Sequence, residues 1–252
     1  MIYVTVPGDT VSSISRQSGV PVWKIIYDNQ LGEEGKLTVG QALLLLKPQE
    51  SAEIREDLYV TGYAYPFIEP YVLEMAFPAL NELLVFSYGF TFEGELVPPI
   101  QDETWMIQLA WENGIEPMLV LTPFTQGVFN NQLIQTLVEE ESVRENVITN
   151  LLKVVEEKGY VGVDVDFEYV RAQNREGYAE FVGELRAAMN EKGYRVSVAL
   201  APKTSSDQKG LLYEGIDYAL LGEQADRLFL MTYEWGYSYG PPMAVAPLTK
   251  VR

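Results

Sequence analysis

Three carboxylates stand at every second position in Gly162-Val163-Asp164-Val165-Asp166-Phe167-Glu168, with apolar residues in the gaps. Strand side chains alternate between faces. This spacing therefore puts Asp164, Asp166 and Glu168 on one face and Val163, Val165 and Phe167 on the other. Carboxylates crowded on a rigid face repel as anions, so at least one holds its proton towards neutral pH. An acid that keeps its proton beside an ionised partner is what glycoside cleavage requires. The same pattern also fits the wet face of an amphipathic strand, or a divalent-cation site. A calcium loop needs a turn glycine and a ligand spacing of roughly twelve residues. Neither is present here, so no metal is expected.

Elimination narrows the chemistry further. The chain has 252 residues, no histidine and no cysteine. That excludes Ser-His-Asp and Cys-His nucleophiles, zinc sites built on His or Cys, and disulfides. Catalysis has to run on carboxylates, hydroxyls, amides or lysine. A formal net charge of −18 argues against nucleic acid and anionic membrane surfaces as partners. No apolar run approaches the roughly 20 residues that span a bilayer. The densest, Leu43 to Leu46, is far too short. Met1 is followed by Ile2-Tyr3-Val4-Thr5-Val6 with no basic segment and no apolar core of secretory type. A cleaved signal peptide is therefore expected to be absent or already removed.

The elements that must position the carboxylates fall into two segments. Residues 1–48 predict a small unit with a strand Ile2–Val6, a turn at Pro7-Gly8-Asp9-Thr10 and a helix closed by Gly19. Val11, Ile14 and Ser18 lie on one side of that helix. A second helix has Pro21 near its first turn, Val22, Ile25 and Ile26 as its apolar stripe, and Asp28-Asn29 at its end. Leu43–Leu46 supplies a closing strand. The polar stretch 49–56 predicts a linker.

From residue 57 to 252, strands alternate with helices. Strands are predicted at Leu58–Ala64, Leu83–Tyr88, Pro117–Leu121, Val161–Glu168, Arg195–Ala201 and Leu228–Tyr233. Ser142-Val143-Arg144-Glu145 predicts a capping box at the start of the helix before the fourth strand. Glu-Lys-Gly-Tyr occurs at 157–160 and again at 191–194, each time joining a helix end to a strand start. This repeating β-α unit implies a parallel sheet, either open and doubly wound or closed as a (β/α)8 barrel. No Gly-rich phosphate loop follows the first strand, which weakens the nucleotide-binding version.

The first segment resembles a LysM domain, a βααβ module that binds N-acetylglucosamine polymers. The likeness rests on Tyr3-Val4, Pro7-Gly8-Asp9-Thr10, Ile14, Ser18-Gly19-Val20, Asn29 and Leu37…Val39-Gly40-Gln41…Leu44. It implies Gly8, Asp9, Thr10, Asn29 and Leu31 as sugar contacts. Asp9 or Thr10 would also serve simply to cap the helix.

The carboxylate row resembles the family 18 glycoside hydrolases, whose fourth strand ends in Asp-Gly-x-Asp-x-Asp-x-Glu. Gly162, Asp164, Asp166 and Glu168 match, and Val161 replaces the first aspartate. Met231-Thr232-Tyr233-Glu234 is similar to the family's Met-x-Tyr-Asp on the sixth strand. The resemblance implies substrate-assisted retaining catalysis without a cofactor. The 2-acetamido carbonyl attacks its own anomeric carbon while Glu168 protonates the leaving oxygen and later deprotonates water. Asp166 orients the acetamido group, Asp164 supports Asp166, and Tyr233 bonds the acetamido oxygen. Met231, Glu234 and Trp235 are implied substrate contacts, and Trp235, Tyr237 and Tyr239 have the spacing to stack on sugars or to form a packed aromatic loop.

The pairing of the two segments looks like the spore cortex-lytic N-acetylglucosaminidases. It implies peptidoglycan glycan as substrate and a spore- or cell-wall-associated location. Six strands are read against the eight of a closed barrel. The expectation is therefore an incomplete barrel, with a complementing C-terminal segment as a candidate partner. A glycan-binding protein with an inactive barrel is the alternative.

Overall fold

Glu-Lys-Gly-Tyr recurs because each helix must stop sharply before the next strand. Gly159 and Gly193 do this with φ of 79° and 82°, a left-handed backbone that side chains other than glycine's rarely adopt. The fold they punctuate comes from a computed structural model that describes residues 1–32, 35–46, 58–125, 128–233, 235 and 243–247. The chain divides into two compact units, residues 1–58 with 232–252, and residues 59–231. The stretch 49–56, read as a linker, lies outside the described residues.

In the first unit, β1 (Ile2–Val4) pairs antiparallel with β2 (Ala42–Leu44), and α1 (Val11–Ser18) and α2 (Val22–Asp28) lie between them in sequence. Thr10 caps α1, its side chain accepting from Ser13 N while the Ser13 hydroxyl accepts from Thr10 N. Val11, Ile14, Val20, Ile25, Leu43 and Leu45 close a small core of their own.

The second unit begins with β3 (Thr61–Ala64), α3 (Pro70–Ala76), β4 (Glu82–Phe90), β5 (Leu96–Val97) and α4 (Thr104–Glu112). It continues through β6 (Glu116–Leu121), the short β7 (Phe124–Thr125) and β8 (Val128–Phe129), and helices α5 (Asn131–Glu139) and α6 (Glu141–Lys158). It ends with β9 (Gly162–Val165), α7 (Arg175–Glu191), β10 (Arg195–Leu200), α8 (Tyr218–Gln224) and β11 (Arg227–Leu230). The six strands foreseen in the sequence are β3, β4, β6, β9, β10 and β11. They lie side by side in chain order, and each neighbouring pair is parallel.

That order decides between the two architectures, because a doubly wound sheet reverses its strand order at a switch point and this one never does. The sheet is also strongly curled. Laid flat, β3 and β11 would stand about 24 Å apart, five spacings of about 4.8 Å. Instead the Tyr63 and Phe229 rings meet edge-on at 5.4 Å, and the Arg227 guanidinium sits 4.5 Å from the Tyr59 ring centroid. The second unit is thus a barrel-like curl of six parallel strands.

Burial follows the alternation. Val85, Leu119, Leu121, Val163, Val165, Val196 and Val198 pack outward into the helix layer, while Leu84, Met118 and Val120 form a separate cluster on the concave face. Four strands begin with charged residues that meet at one pole. Arg195 donates to Glu82 (3.1 Å) and Glu116 (2.6 Å), Arg227 donates to Glu82 (3.2 Å), and the Tyr59 hydroxyl donates to Glu116 at 2.8 Å. The expected capping box at Ser142 does not form. α5 and α6 are joined by Glu140 alone, so α6 starts at Glu141 without a side-chain cap. Glu140 N closes α5 on the Thr136 carbonyl while its own carbonyl accepts from Val143 and Arg144.

Candidate active site

Gly162 opens β9 because nothing larger fits: a Cβ there would run into the carbonyl oxygen of Arg195 on β10. The strand can then lie tightly against its neighbour and direct Asp164 to the concave face, where that residue is fully buried. Asp164 is held from two sides. Tyr63 on β3 donates to Oδ2 at 2.7 Å, and the Ser197 hydroxyl on β10 donates to Oδ1. Burial raises its pKa to about 6, with the Ser197 and Tyr63 bonds pulling the other way.

Regular pairing stops at Val165, but the alternation continues. Asp166 N still donates to Leu121 O on β6 at 2.9 Å. Phe167 turns to the helix side, stacking on Phe90 (5.8 Å), Tyr178 (5.4 Å) and Phe181 (5.9 Å). This aromatic anchor fixes the backbone on either side of it, and with it Asp166 and Glu168. Asp166 is buried, and its Oδ1 has no hydrogen-bond partner among the described residues. Its pKa rises to about 7 through burial first, then through the charges of Asp164 and Glu168. Glu168 is half-buried at the rim, and Tyr169 after it takes a left-handed φ of 59° that bends the chain away. The row therefore grades from a buried, hydroxyl-held carboxylate to one within reach of solvent, at the C-terminal ends of the strands.

The concave surface beyond the row holds a feature the sequence reading missed. A cleft of about 520 Å³ crosses the C-terminal ends of β3, β4 and β6, with Tyr65, Phe67, Phe86, Phe124 and Phe129 among its walls. Tyr65 stacks on Phe67 at 4.9 Å and tilts against Phe86 at 4.8 Å. The cleft adjoins the row, since Ser87 in its wall hydrogen-bonds Thr122 at 3.0 Å and the preceding Leu121 carries Asp166.

The remaining candidates separate. Met231 ends the sheet, its N donating to Leu200 O at 2.9 Å. Tyr233 and Trp235 belong to the first compact unit, whereas Glu234, Tyr237 and Tyr239 lie outside the described residues. In the first unit the Asp9 carboxylate accepts from Tyr3 OH (2.9 Å) and Val6 N (2.8 Å), and Thr10 is occupied as a cap. Asn29 clamps Leu44, accepting from its N at 2.6 Å and donating to its O at 2.8 Å. Leu31 packs against the small core, and Gly8 and Thr10 are exposed.

Residues 127–250 match the model of glycosyl hydrolases family 18, and residues 3–45 match that of the LysM domain. The cortical fragment-lytic enzyme of Bacillus subtilis is 38% identical over 178 residues, covering 70% of this chain and 41% of that protein. The putative sporulation-specific glycosylase YdhD of the same organism is 26% identical over 251 residues, or 100% of this chain and 59% of its own length. The Bacillus cereus spore cortex-lytic enzyme SleL superposes with a TM-score of 0.72 at 31% identity, covering 99% of this chain and 57% of that structure. The chain thus spans between 41% and 59% of these relatives' lengths.

Proposed function

The chain belongs to the family 18 glycosyl hydrolases and carries a LysM domain, and on that footing we propose that it cleaves N-acetylglucosaminyl bonds of peptidoglycan by substrate-assisted retention. The observation that carries the reading is the graded row. Two buried carboxylates with raised pKa values stand beside a half-buried glutamate at the strand ends of a curled parallel sheet.

Glu168 gives its proton to the glycosidic oxygen as the acetamido carbonyl oxygen of the −1 sugar closes on the anomeric carbon. The bond to the leaving sugar breaks, and positive charge spreads over the cyclic intermediate. Asp166 accepts the acetamido N–H and stabilises that charge, while Asp164, fixed by Tyr63 and Ser197, tunes Asp166 through its charge. Water then attacks the same carbon and Glu168 recovers its proton. Tyr233, Met231, Glu234 and Trp235 complete the proposed sugar contacts, and Gly8, Asp9, Thr10, Asn29 and Leu31 those of the LysM unit. The relatives' names support fragments of spore cortex as the source of the glycan and a spore- or cell-wall-associated place of action. Among the described residues no helix is long and apolar enough to cross a membrane.

Glu168→Gln should abolish release of new reducing ends from peptidoglycan while retention on the polymer persists. Unchanged turnover would sink the reading. A glycan-binding role without catalysis is favoured by one observation, that β3 and β11 end the sheet with their outer edges unpaired among the described residues. A complementing strand-forming segment would dock on those edges. Any Glu168-dependent turnover excludes the binding-only role.

A further inference from the structure

The stretch from Asp166 to Tyr178 gathers four buried atoms that fold chemistry leaves unpaired. Asp166 Oδ1, Asn174 Oδ1, Arg175 Nε and the Tyr178 hydroxyl are shut away from solvent and have no hydrogen-bond partner among the described residues. Buried polar atoms are nearly always paired, so orphans that cluster beside a candidate active site point to a role there. Tyr178 is placed to have one. Its fully buried ring on α7 stacks on Phe167 at 5.4 Å with the planes 18° apart, and Phe167 is the residue between Asp166 and Glu168. Burial first, then the charges of Asp166 and Asp164, push its hydroxyl well above the ordinary tyrosine pKa. The hydroxyl therefore keeps its proton and remains a donor within reach of the row's field.

The two aspartates are supplied unequally. Asp164 has a hydroxyl on each oxygen, from Tyr63 and from Ser197, whereas Asp166 Oδ1 has none. The titratable groups facing Asp166 are Asp164 and Glu168 from its own strand end and Tyr178 from α7, and on the β6 side its neighbour is Leu121. Both carboxylates oppose its ionisation, so of these groups only the Tyr178 hydroxyl can favour it. We propose that Tyr178 is a positioning residue for Asp166, its hydroxyl donating to the ionised carboxylate at Oδ1, directly or across one buried water, while the other oxygen faces the substrate amide. The inference rests on the reading of Asp166 as the acetamido acceptor, and deepens it.

Tyr178→Phe in the full chain removes the hydroxyl and keeps the ring on Phe167. The ascending limb of the kcat/KM profile for reducing-end release from peptidoglycan should move up by about one pH unit, lowering the rate about tenfold on the limb. The melting temperature should fall by about 3 °C at pH 8.5, where Asp166 is ionised, and by much less at pH 5, where it is protonated. In an Asp166→Asn background the two melting differences should become equal, because the charge that the hydroxyl serves is gone. A hydroxyl with no such role gives the opposite pattern, since removing an unpaired buried group costs nothing. Tyr178→Phe would then melt at or above the native temperature at both pH values, which overturns the proposal, as does an unmoved limb. A melting difference whose pH dependence survives in the Asp166→Asn background overturns it too. Failure of the catalytic reading looks different. The native chain would then release no reducing ends, while the pH-dependent melting difference remained.

Discussion

Tyr63 on β3 donates a 2.7 Å hydrogen bond to Asp164 on β9, although β4 and β6 lie between their strands. The bond crosses the concave space of the curl, so it exists only while the sheet is curved. It favours the ionised carboxylate against the burial that drives the Asp164 pKa to about 6. Tyr63→Phe should therefore raise that pKa further. The ascending limb of the kcat/KM profile should move to higher pH, with activity at neutral pH falling about tenfold or more, as a charge-assisted bond of about 1.5–3 kcal/mol would give. A pH–rate profile checks this, and an unmoved limb refutes it.

Asp166 makes a stability prediction whose sign runs against the usual carboxylate. Its pKa is raised to about 7, chiefly by burial, so the folded state holds a proton that the unfolded chain releases near pH 4. Stability should fall as pH rises between those values and level off above them. Asp166→Asn removes this cost, so it should melt higher than the native chain at pH 8, by upward of ~2 kcal/mol, and converge with it at pH 4. Thermal melts at the two pH values decide the matter. The same substitution should abolish turnover.

Glu82 sits at the opposite pole, 2% exposed, between Arg195 and Arg227 and beneath the Tyr59 hydroxyl at 3.1 Å. Glu82→Ala removes the shared partner of two part-exposed guanidinium groups, of which Arg195 keeps Glu116, and should destabilise the sheet by about 1–3 kcal/mol. Urea unfolding followed by tryptophan fluorescence would show a lowered midpoint. The residual folded fraction should keep its kcat, because the change lies at the end of the strands away from Asp166.

Asn29→Ala tests whether a conspicuous polar residue of the LysM unit binds or builds. Its amide joins the end of α2 to β2 through Leu44. Losing both bonds should cost about 1–3 kcal/mol and speed hydrogen exchange throughout residues 1–46. Weakened glycan retention with unchanged exchange would instead mark Asn29 as a direct contact.

The sheet was legible because parallel strands buried on both faces read as apolar runs, and because Gly159 and Gly193 mark identical helix-to-strand joins. The carboxylate row was legible because its information is local, spaced two residues apart. The partners of Asp164 were not. Tyr63 lies 101 residues away and Ser197 33 residues away, and only the curl unites them. Ser197 left one usable trace, a lone hydroxyl between Val196 and Val198 in an otherwise apolar strand. The aromatic cleft is assembled from four separated segments around Tyr65, Phe86, Pro99 and Phe124, so no single stretch signals it. Ser142 misled because a capping pattern says nothing of how close the preceding helix ends.

The charged pole also sets an order in time. Glu82 and Arg227 are 145 residues apart, and the contact between them links the second strand of the sheet to the last. During synthesis Glu82, held later by both arginines, emerges long before Arg195 and Arg227 do. Until β11 leaves the ribosome, the curl has no pole to lock and Tyr63 has no Phe229 ring to meet. The second unit therefore consolidates late and as a whole, while the LysM core and its strand pair, which lie within residues 2–45, have no reason to wait.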